Sequence, residues 1–152
     1  MVNKQAKVKN IEKGNSYALA FERIKQSINS KFPVEAIALE ESIVSDRLRS
    51  LLKDAVPALM SGKSCEVSTL VAYSTLYIAP REDKLLVEIN DWVKKRNVVI
   101  HGIVATRSGN AAKMPANKFV SNAMAVAKKG LELAHQLSHW VDREKRKLKR
   151  KT

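Results

Sequence analysis

Apolar residues recur at three- and four-residue intervals through most of this 152-residue chain, with few glycines or prolines to interrupt them. From Ala116 to beyond Arg143 the stripe is Phe119, Val120, Ala123, Met124, Ala127, Leu131, Ala134, Leu137 and Val141, which a helix gathers on one side. Such a helix must bury its apolar side against others to be stable in water. Five glycines and four prolines are too few for the repeated tight turns of a sandwich or barrel. The spacing therefore predicts an all-α fold, an up-and-down bundle of four to five helices.

The remaining helices follow from the same spacing. The first is expected over about residues 16–30, with Gly14 and Asn15 as its cap and Tyr17, Phe21, Ile24 and Ile28 inward. Phe32-Pro33 ends it, and Pro33 opens a second helix to about Ala55 with Ile37, Val44, Leu48, Leu51 and Leu52 inward. Pro57 and Ser61-Gly62 stop the second. Residues 67–78 have helical spacing, although their β-branched and aromatic content also suits a strand. After Pro80 a helix begins near Asp83 and carries Leu85, Leu86, Ile89, Trp92, Val93, Val99 and Ile100 on one side. Residues 106–115 have no periodicity and read as a mobile loop before the last helix.

The formal charge of +13 is unevenly placed. Residues 1–13 carry a net +3, residues 143–152 a net +6, and residues 14–142 only +4. The expected layout is a basic N-terminal segment (1–13), one helical-bundle domain (14–142) and a basic C-terminal tail (143–152). Basic runs repel themselves and attract polyanions, so Arg143, Lys145, Arg146 and Lys147 are read as contacts to an RNA backbone. Cys65 is the single cysteine, no apolar signal segment follows Met1, and no stretch has the roughly 20 apolar residues that span a bilayer. A cytoplasmic protein without a membrane partner is expected.

Three charges interrupt the apolar stripes. Arg96 lies between Trp92-Val93 and Val99-Ile100, Glu40 lies among Ala36, Ile37, Ile43 and Val44, and Arg47 precedes Leu51 by one turn. Helical geometry aims all three inward, where an unpaired charge costs several kcal/mol. They must meet one another or line a site. The structural alternative is a Glu40–Arg96 or Glu40–Arg47 ion pair. Asn97 and His101 are four residues apart and share a helix face, so the amide can orient the imidazole. A guanidinium that grips phosphate beside a histidine that moves protons suits RNA cleavage without a metal.

The segment Trp92-Val-Lys-Lys-Arg-Asn-Val-Val-Ile-His-Gly102 resembles the signature of the HEPN superfamily (higher eukaryotes and prokaryotes nucleotide-binding): an Arg, often followed by Asn, then a His after four to six residues. Arg96, Asn97 and His101 match it. The resemblance implies a helical bundle that dimerises with two Arg and two His at the seam, and in many members a metal-independent ribonuclease. It implies that Arg96 holds the scissile phosphate, His101 acts as general base or acid and Asn97 orients the site; Glu40 and Arg47 are candidates to line it on their inward spacing alone. Products would be a 2′,3′-cyclic phosphate and a 5′-hydroxyl, and no cofactor is called for. A toxin or antiviral defence effector restrained by an antitoxin or regulatory protein fits the same picture. Toxins controlled by a nucleotidyltransferase usually have a Tyr two residues after the His, where this chain has Ile103. The alternative is a non-catalytic helical module that binds nucleic acid or a partner protein.

Weaker signals are set aside. His135 and His139 have a metal-ligand spacing but no third ligand, so no metal site is expected. Ser61-Gly62-Lys63-Ser64 ends like a phosphate-binding loop, but Pro57 stands where that loop needs its first glycine. Trp140 and Tyr73 could stack on bases, yet their helical spacing suits the core better.

Overall fold

The computed structural model describes residues 4–79, 83–104 and 116–151. Among these the chain is all-helical: α1 (Lys4–Asn29), α2 (Pro33–Ala55), the single turn α3 (Pro57–Met60), α4 (Val67–Tyr77), α5 (Lys84–Val104) and α6 (Ala116–Lys151). Residues 106–115, read from sequence as a loop, lie outside the described residues. The stretch 67–78 is a helix and not a strand, with Val67, Leu70, Val71 and Ser74 buried.

Side-chain contacts fix the helix directions. Tyr17 bonds Asp46 and Arg23 bonds Glu35, so α1 runs antiparallel to α2. Gly130 abuts Glu40 and Asp142 pairs with Arg47, so α6 runs parallel to α2. Asp83 meets Trp140, Trp92 meets Val126 and Gly102 meets Phe119, so α5 is antiparallel to α6. The four long helices thus alternate in direction, with α3 and α4 inserted between α2 and α5. Helix α2 touches every other helix, and Ile37, Val44, Leu48, Leu51 and Leu52 on it are fully buried with Leu70, Ile89, Leu133 and Leu137.

The turn from α1 to α2 has a local cause. Phe32 N–H donates to the Ser27 carbonyl (2.7 Å) and Lys31 N–H to that of Ile28 (3.1 Å), a Schellman closure that holds Lys31 left-handed at φ 61°. Pro33 follows in the first turn of α2, where its missing N–H is no loss.

Gly14 and Asn15 do not cap a helix. Helix α1 passes through both from Lys4, and Ser16 Oγ donates to the Glu12 carbonyl (2.9 Å) inside it. A single exposed glycine costs a helix only about 1 kcal/mol, too little to stop one that its flanks favour. The boundaries at 13/14 and 142/143 are likewise changes in charge and not in structure, since α1 and α6 cross them unbroken. Val120 stands at the margin of the α6 stripe, 42% exposed, while Val126 turns inward.

Candidate nucleic-acid site

Helix α5 carries the motif toward one end of the bundle. Trp92 fixes its rotation: the indole is buried and its Nε1–H donates to the Val126 carbonyl of α6 at 3.0 Å. One turn later Arg96 reaches the seam with α2, where its guanidinium pairs with Glu41. The Arg96 side chain is 14% exposed, and its Nε is buried without a hydrogen-bond partner. Asn97 is half-buried, and His101 is exposed in the last turn of α5. Gly102 lies against the Phe119 ring near the start of α6.

Arg96 and His101 are not in contact within one chain. Five residues advance a helix by about 7.5 Å and turn it by roughly 140°, so one side chain faces α2 while the other faces solvent. Val98, between them, is 68% exposed. No hydrogen bond joins Asn97 to His101 among the described residues.

Neither expected ion pair forms. Arg96 takes Glu41, the neighbour of Glu40, and Arg47 takes Asp142 at 3.2 Å while its guanidinium stacks 4.3 Å from the centre of the Tyr17 ring. Arg47 therefore sits at the α1–α2–α6 junction and does not line the Arg96 site. Helical spacing shows that a charge faces inward but not which neighbour it meets, and Glu40 and Glu41 point about 100° apart.

Glu40 is fully buried, and both carboxyl oxygens lack a partner. Burial lifts its pKa to about 9, so it is neutral at pH 7. It packs under Gly130: a Cβ there would lie 2.0 Å from Glu40 Oε2 and 2.7 Å from Trp92 Nε1. Gly130 admits both side chains against the α6 backbone. The sequence reading missed Glu41 and Gly130. A glycine inside a long amphipathic helix is the signal that could have found the second, because it marks a close approach.

The basic contacts divide. Lys145, read from sequence as a backbone contact, turns inward, bonding Ser50 Oγ (2.6 Å) and Asp54 Oδ2 (2.8 Å), so it anchors α6 to α2. Its helix position opposite the exposed residues is the cause, as for Leu148, which packs on the core. Arg143 and Lys147 are exposed and share Glu144. Arg146 is exposed and donates to its own helix at the Asp142 carbonyl, 3.2 Å. Arg150, one turn further, is exposed on the same side and was not singled out from sequence.

The weaker signals resolve simply. His135 stacks on Phe21 with ring centroids 4.0 Å apart, and burial together with Lys25 and His139 lowers its pKa. No group of three or more metal-ligating side chains occurs among the described residues. Trp140 is buried and donates to Asp83 Oδ2 at 3.0 Å, while Tyr73 is half-buried edge-on to Tyr77. Among the described residues no helix is long and apolar enough to cross a membrane.

Against protein-family models, curated proteins and solved structures the chain finds no match, so its functional reading rests on the site itself.

Proposed function

We propose that the chain is a metal-independent endoribonuclease of HEPN type that acts as a homodimer. The observation that carries this reading is the placement of Arg96, Asn97 and His101 along the last turns of α5, with Arg96 anchored at a seam and His101 open to solvent. A two-fold pairing over exposed Val98 would bring each His101 toward its counterpart, and the pair would supply one base and one acid. One imidazole takes the proton of a ribose 2′-hydroxyl, whose oxygen attacks the adjacent phosphorus. The other imidazole gives a proton to the departing 5′-oxygen. Arg96, once its guanidinium leaves Glu41 and swings out of the α2 seam, stabilises the charge that builds on the phosphoryl oxygens.

The products are a 2′,3′-cyclic phosphate and a 5′-hydroxyl, and DNA, which has no 2′-hydroxyl, survives. A nuclease of this kind in the cytoplasm needs restraint, so an antitoxin or regulatory protein belongs to the same reading, as does a toxin or antiviral role. One observation favours the alternative of a non-catalytic module binding nucleic acid or protein: Glu41 already occupies Arg96. The test is incubation of labelled RNA in chelator with wild type, His101→Ala and Arg96→Ala. Cleavage by wild type alone is expected, and equal cutting by all three, or none by any, overturns the assignment.

A further inference from the structure

The motif and the basic residues sit at opposite ends of α6. Gly102, next to His101, meets Phe119 near its start, whereas the basic run occupies its last two turns. Between Phe119 and Arg146 the helix rises about 40 Å.

These ends are joined by one exposed surface. Lys118, Lys128, Arg143, Arg146, Lys147 and Arg150 are all exposed and, at 100° per residue, fall within a strip roughly 100° wide on the side of α6 away from α2. Ser121, Gln136 and His139, also exposed, fill the intervals. The one carboxylate in the strip, Glu132, is held by Lys129 (3.3 Å) and Gln136 (2.9 Å), and Lys129 is drawn further to Glu88 on α5 (2.8 Å). The inward side of the same helix is closed to ligands: Leu133, Ala134, Leu137 and Val141 are fully buried, and Lys145 is tied to Asp54.

We infer that the outer face of α6 seats a double-helical RNA, which lies along the helix from the basic end toward the Arg96–His101 motif. The choice of RNA over DNA rests on the ribonuclease reading, while the seat itself rests on α6 alone. A straight row of cations fits a stiff partner that presents phosphates at regular intervals. Single strands are instead gripped by exposed aromatics on which bases stack. No Phe, Tyr or Trp lies on this face, where His139 is the one exposed ring: the exposed Phe and Tyr side chains among the described residues are Phe32, before α2, and Tyr77, on α4. From Lys118 to Arg150 the strip is about 48 Å long, close to the span of about 16 base pairs over which shape-reading modules contact duplex RNA.

The experiment measures binding by the full chain carrying His101→Ala, in chelator, to labelled mixed-sequence RNA duplexes of about 8, 12, 16 and 24 base pairs and to single strands of the same lengths. Affinity for duplex is expected to rise with length to about 16 base pairs and then level off. At that length duplex should be bound about 10-fold or more tightly than single strand. The pairs Arg146→Glu/Arg150→Glu and Lys118→Glu/Lys128→Glu should each weaken 16-mer binding about 10-fold or more and flatten its salt dependence. The equally charged control Lys53→Glu/Lys63→Glu should have a much smaller effect. Single strands bound as tightly as duplexes, or α6 reversals no stronger than the control, overturn the inference. The ribonuclease reading fails separately, when duplex binds in this way but wild type cuts nothing. The seat fails separately, when wild type cuts RNA but the α6 reversals leave binding intact.

Discussion

The two ends of α6 treat charge in opposite ways. Toward its start, charge is enclosed: Arg96 is shut in with Glu41, and Glu40, held by fit without a partner, is sealed between Trp92 and Gly130. Toward its end, inward-facing cations are neutralised one by one, Arg47 by Asp142 and Lys145 by Asp54, while Arg146 and Arg150 stay on the surface. Net charge therefore does not tell which charges can meet a ligand. Position on the helix does, because the bundle pairs what it encloses and leaves the outer strip to solvent.

If the enclosed half depends on fit and the basic half does not, substitutions should divide by location. The largest effect is expected at Glu40. Its carboxyl stays protonated in the folded chain up to about pH 9, whereas an unfolded glutamate ionises above about pH 4.3. Between those values the unfolded state binds fewer protons, so wild type loses stability as pH rises. Glu40→Gln removes that slope. Denaturant melts should show little difference near pH 4.5 and a gain of up to roughly 3 kcal/mol at pH 7.

Next is Gly130→Ala. The new methyl meets a buried carboxyl and the Trp92 ring, and the overpacking outweighs the gain in helix propensity of about 1 kcal/mol. A net loss of about 2 kcal/mol is expected, or about 5 °C in Tm by calorimetry. Glu41→Gln should cost about 1–2 kcal/mol, because it leaves the enclosed Arg96 guanidinium without its carboxylate. The smallest change belongs to the basic end. Lys145→Met, which breaks a pair with a half-exposed Asp54, should shift stability by no more than about 1 kcal/mol. A Lys145→Met effect exceeding that of Gly130→Ala would erase the distinction between the two ends.

Periodicity made most of the fold legible. Helix α2 begins and ends where Pro33 and Ala55 place it, and α4 follows its helical spacing despite a strand-like composition. The start of α1 was not legible, because its first turns carry no apolar stripe, and Gly14 resembles a cap without acting as one. In the candidate site, spacing correctly marked Arg96, Glu40 and Arg47 as inward but could not supply their partners. Those depend on which helices become neighbours and how each is rotated, and the buried Trp92 indole sets the rotation of α5. The inward turn of Lys145 was hidden for a related reason. A charge run looks uniform along the sequence, and only its phase on α6 separates the anchored lysine from the exposed arginine.

Mapping of RNA ends after incubation in chelator with wild type and with His101→Ala separates a ribonuclease from a binding module. The account predicts 2′,3′-cyclic phosphate and 5′-hydroxyl ends with wild type, and a rate lower by at least about 100-fold with the variant, the loss expected on removing a general acid or base. Undiminished cleavage by His101→Ala, or intact RNA with folded wild type, would contradict it.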